Sequence, residues 1–248
     1  SGTLRKWVPR VHDLCFQNST EKTCNVTHDI ATDSCRRSQF LAVKSIRVPD
    51  INLFLPLIED KTINLKVIHL VRDPRPTQAS RVFRRRRANF VSESMREMLY
   101  LYCKYSWQNL ELGTRSPILK DRYMLLRYED AALDPVAAAT RIYKFLGRSQ
   151  VPESVRRWID ANTKSFKPGV LSTTKNSTEA YRAWRHRLPF DAAKAIEETG
   201  HCKEMMERTG YRLLEDEQHL KNMSRSLVDS IPPVSNGSRY GWLWTLTI

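Results

Sequence analysis

Hydrophobic and polar positions follow two rhythms along this chain. Short runs rich in β-branched and aromatic residues stand at Phe40–Val48, Lys66–Val71 and Tyr123–Tyr128, and they read as strands. Around them the apolar positions recur at helical spacing, with a short helix over Ile51–Glu59 and a long one over about Val91–Leu112. Asp134 and Pro135 open another helix that Gly147 closes, with an N-cap, a proline in the first position and a terminating glycine. Pro152–Asn162 repeats the form, and Pro189–Gly210 is a further long helical stretch that Thr199 and Gly200 interrupt. Strands alternating with helices predict an α/β domain whose parallel sheet is the middle of three layers. One domain over residues 1–225 is expected. Ser, Pro, Asn and Gly then become frequent, so 226–248 is expected to be a loose tail.

One stretch changes character within a few residues. Lys66–Val71 has the pattern of a strand covered on both faces, and it ends at Arg72. Asp73 can cap the next helix, Pro74 and Pro76 are tolerated only around a helix start, and Thr77–Phe83 continue as helix. Ligands of open α/β sheets bind at the carboxyl ends of strands. Here that position carries a fixed cation (Arg72), a helix amino terminus and a hydroxyl one turn further along (Ser80), which together suit an anionic group.

VIHLVRDPR, with a serine eight residues after its first arginine, resembles the 3′-phosphate-binding segment of sulfotransferases that use 3′-phosphoadenosine 5′-phosphosulfate (PAPS). KSIRVP (Lys44–Pro49), YMLLRYED (Tyr123–Asp130), IYKFLG (Ile142–Gly147) and STTKNSTEAYRAWRHRLPF (Ser172–Phe190) come in the order seen in Golgi carbohydrate 6-O-sulfotransferases. The likeness is to the chondroitin 6- and keratan sulfate galactose 6-types, and it covers roughly Val11–Leu213. It implies a three-layer sulfotransferase fold of the P-loop NTPase kind. Arg72 and Ser80 would hold the 3′-phosphate of PAPS, Lys175 would close over it from a late loop, and no metal is needed. Trp184 and Arg185 match the tryptophan and basic residue after that loop, with packing favoured for the tryptophan. The reaction implied is sulfuryl transfer to the 6-hydroxyl of galactose or an N-acetylhexosamine, with an acidic glycan and the nucleotide donor as partners.

Two features of the family are not found. No glycine- and serine-rich loop after a first strand can be seen, the 8 glycines being scattered, and no carboxylate base is identified. The chain is therefore expected to lack the amino-terminal part of such an enzyme, including its membrane anchor. An inactive or fragmentary relative, binding acidic glycan or nucleotide without transfer, is the alternative.

Charge and cysteine usage narrow the setting. A net charge of +14 implies an anionic partner without choosing between PAPS with an acidic glycan and nucleic acid. Sequons at Asn18, Asn25, Asn176, Asn222 and Asn236 take five of ten asparagines, where composition predicts about one or two. That excess argues for a secretory lumen, in the family's case the Golgi, and against a nucleic-acid role. Asn176 adjoins Lys175, so the cofactor loop and a glycan there compete. The glycosylation candidates are accordingly Asn18, Asn25, Asn222 and Asn236. In a lumen the 5 cysteines favour structural disulfides, the odd one being either a free thiol or paired to a cysteine of the missing amino-terminal part.

Some residues carry two readings. Arg84, Arg85, Arg86 and Arg87 are either a solvated helix face or a grip on the carboxylates and sulfates of a polysaccharide. His69, inside a strand, reads as a core histidine, and Glu129 and Asp130 at a strand end read as structural or capping residues.

Overall fold

The computed structural model describes residues 27–46, 48–84, 92–167, 172 and 174–233. The chain forms two compact units, Ser1–Arg47 and Val48–Ile248.

In the first unit the described part is helix α1 (His28–Arg36) followed by non-strand chain. The strand expected from Phe40 does not form over Phe40–Ile46. Ladder hydrogen bonds need a neighbouring strand at the right register. Here Phe40, Leu41, Val43 and Ile46 are exposed, so hydrophobic spacing alone did not fix a sheet position.

The second unit begins with a 3-10 turn at Ile51–Phe54, capped by the Asp50 side chain, which runs into helix α2 (Leu55–Glu59). Strand β1 (Val67–Val71) and strand β2 (Tyr123–Arg127) pair in parallel, Val67 opposite Tyr123 and Val71 opposite Arg127. Between them lie helix α3 (Pro74–Arg84) and the long helix α4 (Glu93–Arg115). A parallel pair with helical crossovers is the α/β arrangement predicted, and two strands form among the described residues. Coverage of β1 departs from the expected burial on both faces: Val71 is buried, whereas Ile68 and Leu70 on the opposite face are 37% and 57% exposed.

After β2 the chain is helical. Helix α5 (Tyr128–Leu133) leads to α6 (Pro135–Phe145), whose N-cap Asp134 accepts from the Ala137 N–H, and Gly147 comes next at φ 76° as the predicted stop. Helix α7 (Glu153–Thr163), the single turn α8 (Ser177–Ala180), α9 (Phe190–Glu197), α10 (Cys202–Arg208) and α11 (Glu217–Lys221) complete the order. The break between α9 and α10 falls at the predicted Thr199-Gly200, with Gly200 at φ 51°.

The core gathers where α4 meets α9 and α10. Leu99, Leu188, Ile196, Leu220 and Leu227 pack there around a Cys103–Cys202 disulfide that staples α4 to α10. Leu227, inside the segment expected to be a tail, takes part in this packing, and Val228 packs against a second cluster of Val71, Met205, Met206 and Tyr211. Leu227 is 5% exposed, and Val228 bridges to Tyr211. Cys35 is a free, exposed thiol.

Gly113 sets how closely α4 lies on β2, since a Cβ added there would stand 2.3 Å from the Tyr123 ring. Gly113→Ala is expected to cost about 2 kcal/mol through overpacking. A thermal melt should show this as a fall of about 4–8 °C for a domain of this size.

Candidate functional site

The site is built where β1 and β2 end side by side. Extending their register by one residue sets Arg72 beside Tyr128, and the Arg72 guanidinium lies over the Tyr128 ring at 4.5 Å. Its backbone is clamped as well. The Arg72 N–H donates to the Tyr102 hydroxyl at 3.2 Å, and that hydroxyl donates to the Arg72 carbonyl at 2.6 Å. Burial pushes the Tyr102 phenol up to about 12, so it stays a donor at physiological pH. Arg72 Nε is buried and has no hydrogen-bond partner, and no carboxylate pairs with the guanidinium among the described residues. An immobilised cation with no carboxylate bonded to it is costly unless an anion comes to it.

The next arginine has the opposite character. Arg75 is fully buried. It forms a two-pronged pair with Asp73 (Nη2 to Oδ2 at 2.6 Å, Nε to Oδ1 at 3.0 Å) and reaches Glu197 at 2.9 Å and the Arg212 carbonyl at 3.1 Å. Asp73 also accepts the Arg75 N–H at 2.8 Å, which is the cap expected for α3. Glu197 accepts from the Leu214 N–H and the Lys194 ammonium. The turn after β1 is thus tied to α9 and to the chain beyond α10, and Arg72 is the arginine left over.

Ser80 is exposed on α3, sharing a face with Thr77 three residues before it. At 1.5 Å per residue it stands about 9 Å along the helix from Pro74. Lys175 is exposed on the loop before α8. Its backbone N–H donates to the Asn162 carbonyl at the end of α7, and Ser177 Oγ donates to the Ala132 carbonyl at 2.6 Å. Helix α5 therefore connects the two places, holding Arg72 through Tyr128 and the Lys175 loop through Ala132, about 6 Å apart along its axis. No hydrogen bond joins the Arg72, Ser80 and Lys175 side chains to one another among the described residues.

The remaining residues singled out in the sequence fall elsewhere. Arg84 ends α3, and Arg85, Arg86 and Arg87 lie outside the described residues, as do Asn18, Asn25 and Asn236. Asn222 is half-buried, and its side-chain oxygen accepts the Ser224 N–H. Arg185 is buried and donates to four carbonyls, those of His219, Leu220, Asn222 and Arg225, so its role is to close the end of α11. Trp184 packs in the core with Arg75 over its ring at 5.3 Å. His69 Nδ1 is 2.8 Å from the Tyr123 hydroxyl, and burial pushes the imidazole down to about 4, leaving it neutral.

Glu129 and Asp130 are not at a strand end. Strand β2 stops at Arg127, and both residues lie in the first turn of α5. Asp130 pairs with Arg127, while Glu129 is buried, accepting the Asp73 N–H at 3.3 Å and the Tyr211 O–H at 2.6 Å. Sequence reasoning did not find Tyr102, Tyr128 or Tyr211. Tyr128 lies inside the YMLLRYED motif and could have been found from the strand register, but Tyr102 and Tyr211 have no local signal.

A match to the Sulfotransferase domain family covers residues 16–210. Carbohydrate sulfotransferase 3 of Tetronarce californica is 36% identical over 243 residues, which are 92% of this chain and 52% of that protein. The Mus musculus carbohydrate sulfotransferase 3 is 37% identical over 220 residues (83% and 46%), and Homo sapiens carbohydrate sulfotransferase 1 is 33% identical over 225 (81% and 52%). No solved structure matches the chain. The chain spans about half the length of the curated relatives it matches. The matched span takes in the β1–α3 turn with its unpaired Arg72 and the Lys175 loop, and at this identity over this share of its length the chain belongs to the sulfotransferase family.

Proposed function

We propose that this chain carries the 3′-phosphate half of a PAPS site in a carbohydrate sulfotransferase. The enzyme would move a sulfuryl group to the 6-hydroxyl of galactose or an N-acetylhexosamine in an acidic glycan. The observation that carries the reading is Arg72, a clamped cation with a buried, unpartnered Nε, at the carboxyl end of β1 and the start of α3. Its planar fork suits two phosphate oxygens, Ser80 adds a neutral donor from α3, and Lys175 adds a second cation from the loop tied to α5.

When bound, PAPS would supply the sulfuryl group, with adenosine 3′,5′-bisphosphate as the leaving product. The residues here contribute position, fixing the adenosine end so that the reacting end is presented to the sugar hydroxyl. Arg84, Arg85, Arg86 and Arg87 form a cationic run from the end of α3 onward, and on this reading they meet carboxylates and sulfates of the acceptor. The Cys103–Cys202 disulfide and the excess of sequons support an oxidising, glycosylating lumen, in keeping with a Golgi enzyme anchored through an upstream segment. Among the described residues no helix is long and apolar enough to cross a membrane.

The test is to incubate the chain with PAPS and either desulfated chondroitin or desulfated keratan, and then to analyse the disaccharides. Sulfate at carbon 6 of the galactose or hexosamine is the expected product. Sulfate at another position would refute the 6-hydroxyl assignment. Binding without transfer would favour the non-catalytic alternative.

A further inference from the structure

The Glu129 carboxylate is 2% exposed, yet it stands among groups of both signs. Asp73 on the turn donates its N–H to it and Tyr211, from the segment after α10, donates its O–H. Arg72, which adjoins Asp73 and stacks on Tyr128 next to Glu129, brings its charge near from the end of β1, and Tyr102 of α4 is bonded to the Arg72 backbone. Arg75, the buried cation of the same turn, is committed to Asp73 and Glu197. The cation whose field favours ionised Glu129 is therefore Arg72, the same group that the proposed phosphate engages.

We propose that Glu129 is a positioning residue for the Arg72 turn, and that it takes up a proton when an anion binds at Arg72. The inference rests on the assignment of Arg72 to the nucleotide phosphate. Positioning comes from the two contacts, which join the first turn of α5 to the Asp73 amide and to Tyr211. A protonated carboxyl keeps acceptor capacity, so both contacts survive neutralisation and the turn need not move.

The proton linkage comes from the charges. Burial first, and then the Asp73 carboxylate, push the Glu129 carboxyl up to about 7, against the opposing pull of Tyr211 and Arg72. An anion on Arg72 cancels the Arg72 contribution and adds negative charge nearby, so the carboxyl rises further in the bound state. A group whose pKa is higher in the complex strengthens binding as pH falls. The gain begins near the bound-state value and is complete below about 7, where the free protein also holds the proton.

Calorimetry with adenosine 3′,5′-bisphosphate tests this at pH 7 and 8.5, and at pH 8 in two buffers of different ionisation enthalpy. The proteins compared are the unsubstituted chain, Glu129→Gln, Glu129→Ala and Arg72→Ala. Glu129→Gln is neutral at every pH, keeps the shape and retains one of the two acceptor oxygens. The ligand's own ionisation is common to all and cancels in the comparison. Between pH 7 and 8.5 the unsubstituted chain should lose about threefold more affinity than Glu129→Gln, and should take up more protons on binding. Glu129→Ala should bind more weakly than Glu129→Gln at both pH values. Equal pH slopes and equal proton uptake in the unsubstituted chain and Glu129→Gln would overturn the linkage while leaving Arg72 in its role. Equal affinity of the Ala and Gln variants would overturn the positioning role. Undiminished binding by Arg72→Ala, or none by the unsubstituted chain, would remove the nucleotide reading and this inference together. Tyr211→Phe gives a second handle. Losing its O–H donor should move the pH midpoint upward, and an unmoved midpoint counts against the linkage.

Discussion

Arg72→Ala should reduce affinity for adenosine 3′,5′-bisphosphate by at least about two orders of magnitude and leave the melting temperature nearly unchanged. The size comes from charge-assisted hydrogen bonds, each worth about 1.5–3 kcal/mol, two of which a guanidinium can make to one phosphate. The small effect on stability comes from the contacts. The Arg72 side chain lies on the Tyr128 ring, worth about 0.5–1 kcal/mol, and the Tyr102 clamp acts on backbone atoms that alanine retains. Removing a buried, unpartnered Nε relieves a cost and offsets part of the lost stacking. Arg72→Lys should fall between, because an ammonium keeps the charge but loses the fork. Calorimetric titration paired with a thermal melt checks both halves. Affinity within about threefold of the unsubstituted chain would mean that the phosphate is held elsewhere.

Much of this arrangement was legible before any geometry. The strand Val67–Val71, the cap at Asp73, the helix from Pro74 and the stop at Gly147 arise from local chemistry, because each depends on residues within one or two turns. The strand at Phe40 failed for the complementary reason, since a ladder is a non-local contact that spacing cannot supply. The same limit hid the coverage of β1, where Ile68 and Leu70 lie on an exposed face despite a continuous apolar run. In the site, Arg72 could be picked out as the residue that ends a strand ahead of a helix. Tyr102, 30 residues away, and Tyr211, 82 residues from its partner Glu129, could not. Nor could sequence tell Arg72 from Arg75 by environment. Two arginines three residues apart look alike until one is found bonded to two carboxylates and the other to none.

Arg75→Ala is the prediction that separates them, and it should mirror the first. Arg75 is 0% exposed and is the cation shared by Asp73 and Glu197, themselves 3% and 2% exposed. Removing one partner of a buried ion pair typically costs about 3–5 kcal/mol, since the desolvation of the remaining charge is no longer compensated. Here two carboxylates lose the cation. Lys194 still reaches Glu197, but Asp73 keeps only its backbone contact to residue 75, so the upper part of that range is expected. The loss should lower the melting temperature by about 8–20 °C, given about 2–4 °C per kcal/mol for a domain of this size. Nucleotide affinity of the protein that remains folded at low temperature should fall far less than in Arg72→Ala, because Arg75 is fully enclosed and contacts only its own fold. Arg75→Met tests whether charge or volume is at stake. A long apolar side chain fills the space without neutralising either carboxylate, so it should rescue little. Recovery of most of the stability by methionine would show that Arg75 serves by packing against Trp184 and not by pairing Asp73 with Glu197.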